Sequence, residues 1–262
     1  MGTEWLRRFA PPADGPRPSA IAVRLVCFPH AGGAASSFLP LSLAMPPAVE
    51  VLAAQYPGRQ DRRHEEPIDD IGRLADILAD EVHGQIEGPY ALFGHSMGAV
   101  LAYETTRRLE ERQSPGPVAV ILSGRGAPRP RPEAHDGLRT DADILAAVQR
   151  LGGTSPQVFE DPEVREMVMP ALRADYRAIG TYEWQERGPL STPFTVLVGD
   201  SDPVVSVERA SSWADFTKAD THTHVFSGGH FYLDSNLPEV AAVLTAALSR
   251  FAPGAAAASL TW

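Results

Sequence analysis

The chain has 262 residues, of which 44% are hydrophobic, and its formal net charge is −10 at pH 7. This length suffices for one domain with a full hydrophobic core. The acidic balance argues against nucleic acid or an anionic membrane as a partner, and no apolar run approaches the roughly 18 residues of a membrane span. A single cysteine, Cys27, excludes an intramolecular disulfide, and segment 1–20 lacks the apolar core of a signal peptide, so we expect a cytoplasmic protein.

Strand-like and helical patterns alternate along most of the chain. The helical patterns cover 71–86, 99–111 and 237–251. The apolar runs typical of strands cover 23–28, 49–55, 90–94, 118–123, 194–199 and 222–226. Several of these runs lack strict apolar/polar alternation, which favours a mostly parallel sheet buried on both faces. The pattern predicts an α/β fold.

The alternation stops between about residues 125 and 193, where two helical patterns replace the strands. The first covers 141–151, and the second begins at Asp161-Pro162 and ends near Gly180. An aspartate followed by proline is typical of a helix start, and Pro170 is expected to kink or split the second helix. We interpret 1–262 as a single domain with an inserted helical lid over about 125–190.

A Gly-His-Ser-Met-Gly sequence at residues 94–98 follows one strand-like run and directly precedes a helical pattern. This strand–turn–helix setting is the nucleophile elbow, in which glycines allow a sharp turn that exposes the serine hydroxyl. The helix N-terminus beside Ser96 favours developing negative charge. We therefore predict Ser96 as a nucleophile, and the backbone N–H of Met97 as one donor of an oxyanion hole.

A serine nucleophile needs a base and an acid, which follow it in the order Asp/Glu then His in hydrolases with this elbow. Asp200 and Asp202 both follow the strand-like run 194–199, and we favour Asp202 as the acid because Asp200 is better placed to cap the turn. His230 follows paired glycines after the last strand-like run and is the predicted base. His222 and His224 alternate on one strand and make a weak metal site, so no metal is expected.

A second oxyanion donor is expected in the glycine-rich turn after the first strand-like run, residues 28–33. Such a turn after an early strand supplies this donor in hydrolases with the elbow. Ala31 is the predicted donor. We interpret His30, in the same turn, as a residue that shapes the loop.

The chain closely resembles the type II thioesterases that accompany polyketide and nonribosomal peptide synthases. The resemblance covers nearly its whole length, and its most specific stretches are Phe-Pro-His-Ala-Gly-Gly at 28–33 and Gln-Tyr-Pro-Gly-Arg at 55–59. Further matching stretches are 5–9, 25–27, 93–98, 123–125, 172–176, 199–202 and 228–231. It implies an α/β-hydrolase fold and hydrolysis of acyl groups from the phosphopantetheine arm of acyl or peptidyl carrier proteins. This hydrolysis removes aberrant or stalled acyl units from the synthase. It implies no cofactor, and we expect a monomer.

The motifs leave other activities open. A chain-releasing thioesterase or acyltransferase forms the same acyl-enzyme, and the fold also serves medium-chain acyl-carrier-protein thioesterases of fatty-acid synthesis. A catalytically weak binding protein is a third alternative, disfavoured by the complete set of candidate residues. Apolar lid residues are candidates to line an acyl pocket or simply to pack the lid: Met167, Met169, Leu172, Tyr176 and Tyr182. Three arginines are candidates for contacting an acidic carrier protein: Arg125, Arg129 and Arg131.

Overall fold

Within the residues that the structure describes, seven strands form one sheet at the centre of the fold. The computed structural model describes residues 5–9, 21–112, 115–129, 137–138, 140–152 and 161–249. Its strands are β1 (Leu6–Arg8), β2 (Val23–Phe28), β3 (Val49–Ala54), β4 (Tyr90–His95), β5 (Val120–Ser123), β6 (Phe194–Gly199) and β7 (Thr221–Phe226). They are ordered β1-β3-β2-β4-β5-β6-β7, and every pair is parallel except β1–β3. The predicted parallel sheet is confirmed.

The register brings the strand ends of the predicted site to one edge of the sheet. Phe28 at the end of β2 pairs with Gly94 near the end of β4, and Gly199 at the end of β6 pairs with Phe226 at the end of β7. Because parallel strands share a direction, the loops that follow them leave the sheet on the same side. The elbow, the glycine-rich turn and the two late loops therefore meet there.

Helices cover both faces of the sheet. They are α1 (Leu39–Ala44), α2 (Ile71–Gln85), α3 (Met97–Glu111), α4 (Asp141–Leu151), α5 (Pro162–Gly180), α6 (Val207–Ser211), α7 (Tyr232–Ser235) and α8 (Leu237–Leu248). Leu74, Leu78 and Val82 repeat every four residues along α2 and form a fully buried stripe. Helices α2 and α3 pack on one face of the sheet and form one apolar cluster with it. Helices α1 and α8 pack on the other face and form a second apolar cluster.

Between β5 and β6 the chain forms α4 and α5, which we call the helical insertion. Asp161 caps α5 by accepting hydrogen bonds from the N–H groups of Glu163 and Val164. Of the two expected effects of Pro170, a kink or a split, the split does not occur, since Pro170 lies inside α5 and the helix continues to Gly180. A helix tolerates an internal proline when the packing of its apolar face outweighs one lost backbone hydrogen bond.

Most predicted bounds agree with the structure to within two residues, but the short elements β1, α1, α6 and α7 have no counterpart among the predictions. β1 was not predicted, because three residues are too few for a pattern, and it is stabilised by antiparallel pairing with β3. The predicted end of the last helix at 251 lies outside the described residues, as does Arg131. Cys27 is fully buried in the sheet. Within the described residues, no helix has the length and apolarity needed to cross a membrane.

Candidate active site

Ser96 lies in a strained turn between β4 and α3. Its φ of 56° and ψ of −115° place it in a region that non-glycine residues rarely adopt. A Cβ on Gly94 would lie 1.9 Å from the carbonyl oxygen of Gly98, and a Cβ on Gly98 would lie 1.9 Å from that of Phe28. The two glycines therefore let the strand, the turn and the next helix approach closely. The structure has the strand–turn–helix geometry that the sequence predicts, and the role of Ser96 as the nucleophile stays a prediction.

His230 and Asp202 form a buried pair at the same edge of the sheet. Nδ1 of His230 lies 2.8 Å from Oδ2 of Asp202, and both side chains are at most 1% exposed. Since an ionised carboxylate can only accept, Nδ1 donates and Nε2 is left with a free lone pair. The other oxygen of Asp202 accepts the N–H of Val204 at 2.8 Å. These contacts fix both the carboxylate and the tautomer of the imidazole.

The loops after β6 and β7 approach each other so closely that only glycine fits between them. A Cβ on Gly199 would lie 2.4 Å from the carbonyl oxygens of both Gly228 and Gly229. Asp200 does not face the histidine, since its carboxylate accepts the N–H of Gly228 at 2.9 Å. That backbone hydrogen bond lowers the pKa of Asp200. These contacts agree with the expectation that Asp202 is the partner of the histidine and that Asp200 caps the turn.

The turn after β2 presents the predicted oxyanion donor beside the elbow. Within the described residues, the N–H groups of Ala31 and Met97 donate no hydrogen bond. The turn is held by its neighbours, because the hydroxyl of Tyr56 donates to the carbonyl of Pro29 at 3.2 Å. Two backbone N–H groups without partners, one at a helix start, are suited to bind a developing oxyanion.

Two further histidines surround the pair. The ring of His95 lies 5.0 Å from that of His230 and 5.9 Å from that of His30, measured between centroids. Nδ1 of His95 lies 2.8 Å from Oγ of Ser123, which lies 2.6 Å from the hydroxyl of Tyr232. Burial lowers the pKa of His30 to about 4 and that of His95 well below its usual value, with His230 contributing to both. Both are neutral at pH 7.

Ser123 and Tyr232 were not singled out from the sequence as part of this site. Ser123 begins the matching stretch 123–125 and Tyr232 directly follows the stretch 228–231, but a hydroxyl group in a strand or a short helix carries no distinctive pattern. Ser123 is hydrogen-bonded both to His95 and to Tyr232, and these two bonds join the ends of β4 and β5 to α7. This chain of hydrogen bonds supports the site and contacts none of the predicted reacting atoms.

A cavity of about 370 Å³ opens beside the histidines. Its walls combine aromatic and aliphatic side chains with a few polar groups, and they include His30, His95, Phe231, Phe38, Phe93 and Leu237. The dimensions and mixed lining are those of a small-molecule pocket. None of the five lid residues predicted as possible pocket walls lines this cavity.

The lid residues mostly pack within the helical insertion. Met169, Leu172 and Tyr176 form an apolar cluster with two residues of α4, Ile144 and Ala147. This agrees with the packing alternative stated for them. The other two behave differently: Met167 is 57% exposed, and the hydroxyl of Tyr182 donates to Oε1 of Glu104 at 2.7 Å.

The fold and site together define a class of protein. A mostly parallel sheet, helices on both faces and an elbow beside an Asp–His pair are the arrangement of an α/β-hydrolase. Residues 23–248 match the Thioesterase domain family, and the chain belongs to that family.

Named relatives agree with this membership. The chain is 46% identical to a "Probable cadicidin biosynthesis thioesterase" of Streptomyces griseus, over 96% of this chain and 68% of the relative. Among solved structures, it superposes on the type II thioesterase BorB from the borrelidin biosynthetic cluster with a TM-score of 0.83 and 39% identity, over 95% of this chain and 99% of that one. RedJ, a thioesterase of the prodiginine pathway in Streptomyces coelicolor, gives 0.82 and 35%, over 92% and 91%.

Proposed function

We propose that the protein is an editing thioesterase that hydrolyses acyl groups from the phosphopantetheine arms of carrier proteins in polyketide or nonribosomal peptide assembly. Family membership supports the thioesterase activity, and the relatives' names support the biosynthetic setting. The observation that carries the chemistry is the 2.8 Å contact between His230 and Asp202 at the edge of the sheet that also carries the Ser96 turn. We expect the enzyme to act as a monomer in the cytoplasm, with the helical insertion as its lid.

The residues of the site support an acyl-enzyme mechanism. Ser96 Oγ attacks the thioester carbonyl while Nε2 of His230 takes its proton, and Asp202 stabilises the imidazolium that forms. The N–H groups of Ala31 and Met97 bind the tetrahedral oxyanion. As this intermediate collapses, the carbon–sulfur bond breaks and His230 gives its proton to the departing thiolate, which leaves as the free thiol. A water molecule, deprotonated by His230, then releases the acid and restores the serine.

The neutral state of the neighbouring histidines favours this mechanism. A charged His30 or His95 would disfavour the imidazolium that His230 must become, since like charges at this range repel. Burial keeps both neutral at pH 7. The cavity they line is our candidate for the acyl group, because its walls are partly apolar and adjoin the predicted catalytic histidine.

A carrier protein must bind outside the site while its arm reaches in. Arg129 is exposed after β5, and we propose that it contacts an acidic carrier surface. Arg129→Glu should then raise KM for an acyl-carrier protein and leave KM for the matching acyl-pantetheine unchanged. The exposed Arg63→Glu serves as a control for overall charge. Equal KM changes with both substrates would contradict carrier contact at Arg129.

Product analysis tests the function directly. Purified protein is mixed with acetyl-, propionyl- and longer acyl-carrier proteins, alongside Ser96→Ala. We expect free acid and free carrier thiol, and a loss of about 10⁶ in kcat for the variant. Retained hydrolysis by Ser96→Ala would refute the mechanism. Transfer of the acyl group to an added alcohol or amine, in place of free acid, would instead support the acyltransferase alternative.

A further inference from the structure

We propose that Asp175, on α5 of the helical insertion, is a positioning residue that holds the oxyanion loop. We use this name for residues 29–34, the turn that carries the Ala31 N–H. The Asp175 side chain is 1% exposed, and its Oδ2 accepts the backbone N–H of Gly32 at 2.7 Å. This contact joins residues separated by 143 positions in the chain. The proposal rests on the proposed function, because it assigns a role to the loop in that reaction.

Arg59 completes the attachment from the other side. Its Nη1 and Nη2 atoms donate to the two carboxylate oxygens of Asp175 at 2.7 and 2.8 Å, and Nη1 also donates to the carbonyl of Gly33 at 3.0 Å. Burial alone would lower the pKa of Arg59, but the adjacent Asp175 carboxylate raises it. One buried ion pair thus satisfies an N–H and a C=O of adjacent loop residues.

Apolar packing brings α5 against the same loop. A Cβ on Gly32, which has a φ of +77°, would lie 2.5 Å from Cδ2 of Leu172. Leu172 precedes Asp175 by three positions, so both side chains lie on the same face of the helix. Ala31 itself packs against the apolar cluster of the insertion. The loop is therefore clamped between the sheet and α5 by packing and by hydrogen bonds.

This arrangement makes the position of the Ala31 N–H depend on the docking of α5. An oxyanion donor interacts with the transition state much more strongly than with the bound thioester. A loop released from Asp175 should therefore lose kcat and kcat/KM together, with KM nearly unchanged. A residue that only stabilised the fold would alter thermal stability and leave kcat of the folded enzyme unchanged.

The test separates the ion pair from the hydrogen bond to Gly32. Removing Asp175 alone would leave the buried Arg59 charge unpaired and strongly destabilise the protein. Two double variants avoid this: Arg59→Met with Asp175→Asn keeps an oxygen that can accept from Gly32, whereas Arg59→Met with Asp175→Leu removes it. We expect kcat of the Leu variant to be about 10²-fold below that of the Asn variant, with KM within about twofold.

A control variant and a second measurement, hydrogen exchange, complete the test. Asp141 pairs with Arg173 on the exposed side of the same insertion, so Asp141→Asn should leave kcat unchanged. Hydrogen exchange followed by mass spectrometry should show faster exchange in residues 29–34 of the Leu variant than in wild type, and this comparison decides the matter if the Asn variant does not fold. Equal kcat in the two double variants, or unchanged exchange in the Leu variant, would overturn the proposal. Failure of wild type to hydrolyse acyl-carrier thioesters would instead refute the proposed function.

Discussion

Acid should destabilise the folded protein through His30, and His30→Gln should remove part of this pH dependence. The side chain lies at the start of the oxyanion loop, packed edge-on against Phe231 at 4.9 Å between ring centroids. Burial, followed by the nearby His230 and Arg59, lowers its pKa from 6.5 to about 4. In the unfolded chain the imidazole returns to water and to the higher value. The two states therefore bind different numbers of protons across this interval.

The direction and size of the effect follow from proton linkage. Between pH 4 and 6.5 the unfolded chain holds the His30 proton and the folded protein does not, so stability rises with pH. The contribution is complete above pH 6.5 and is lost as pH falls through this interval to 4. A difference of 2.5 pKa units, at about 1.36 kcal/mol each, gives about 3 kcal/mol. Because His30 keeps some solvent exposure, this value is an upper bound.

The assay is urea unfolding of wild type, His30→Gln and the control His64→Gln at intervals from about pH 4.5 to 7.5. His64 is exposed, so its replacement should preserve the wild-type pH dependence. His30→Gln should show a shallower decline in the free energy of unfolding, with some decline remaining because burial also lowers the pKa of His95. A decline in His30→Gln as steep as in wild type would refute the reasoning.

Two pairs of variants test other parts of the site. Asp202→Asn should lower kcat by about 10⁴, because an amide cannot hold His230 in the tautomer that accepts the serine proton, whereas Asp200→Asn should stay near wild type in the same steady-state assay. Equal losses would contradict the assignment of the acid. Gly98→Ala should lose its fold or activity, since its Cβ would lie 1.9 Å from a carbonyl oxygen, whereas Gly84→Ala meets nothing within 4 Å and should stabilise α2 by about 0.5–1 kcal/mol in thermal unfolding. A Gly98→Ala enzyme with wild-type stability and rate would contradict the close approach.

Local patterns were sufficient to predict strands β2 to β7, the longer helices α2, α3, α4, α5 and α8, and the turn at Ser96. A run of apolar residues identifies a buried strand, and two glycines around a serine identify a turn that no other residue permits, so Gly94 and Gly98 could be interpreted without knowledge of the fold. The pairing of Asp202 with His230 could be predicted from chain order, because parallel strands end at one edge. The structure adds the distance between them and the hydrogen bonds that orient the carboxylate.

Contacts between distant segments could not be predicted in this way. Arg59 and Asp175 each lie in a stretch that resembles the family, yet nothing local indicates that they meet across 116 positions. One feature of the sequence points to this contact: Asp175 follows Leu172 by three residues and therefore lies on the apolar face of the predicted helix. A charged residue there requires a buried partner. β1 could not be predicted either, because its three residues form a strand only through their pairing with β3.

The most direct test of the central claim is the site of acylation. Wild type and His230→Ala are mixed with an acyl-carrier protein, quenched within a single turnover and digested, and the acylated peptide is identified by mass spectrometry. The account predicts a transient acyl group on Ser96 in wild type, and little or none in His230→Ala, where no base activates the serine. Hydrolysis without any acyl-enzyme, or an acyl group on a residue other than Ser96, would contradict it.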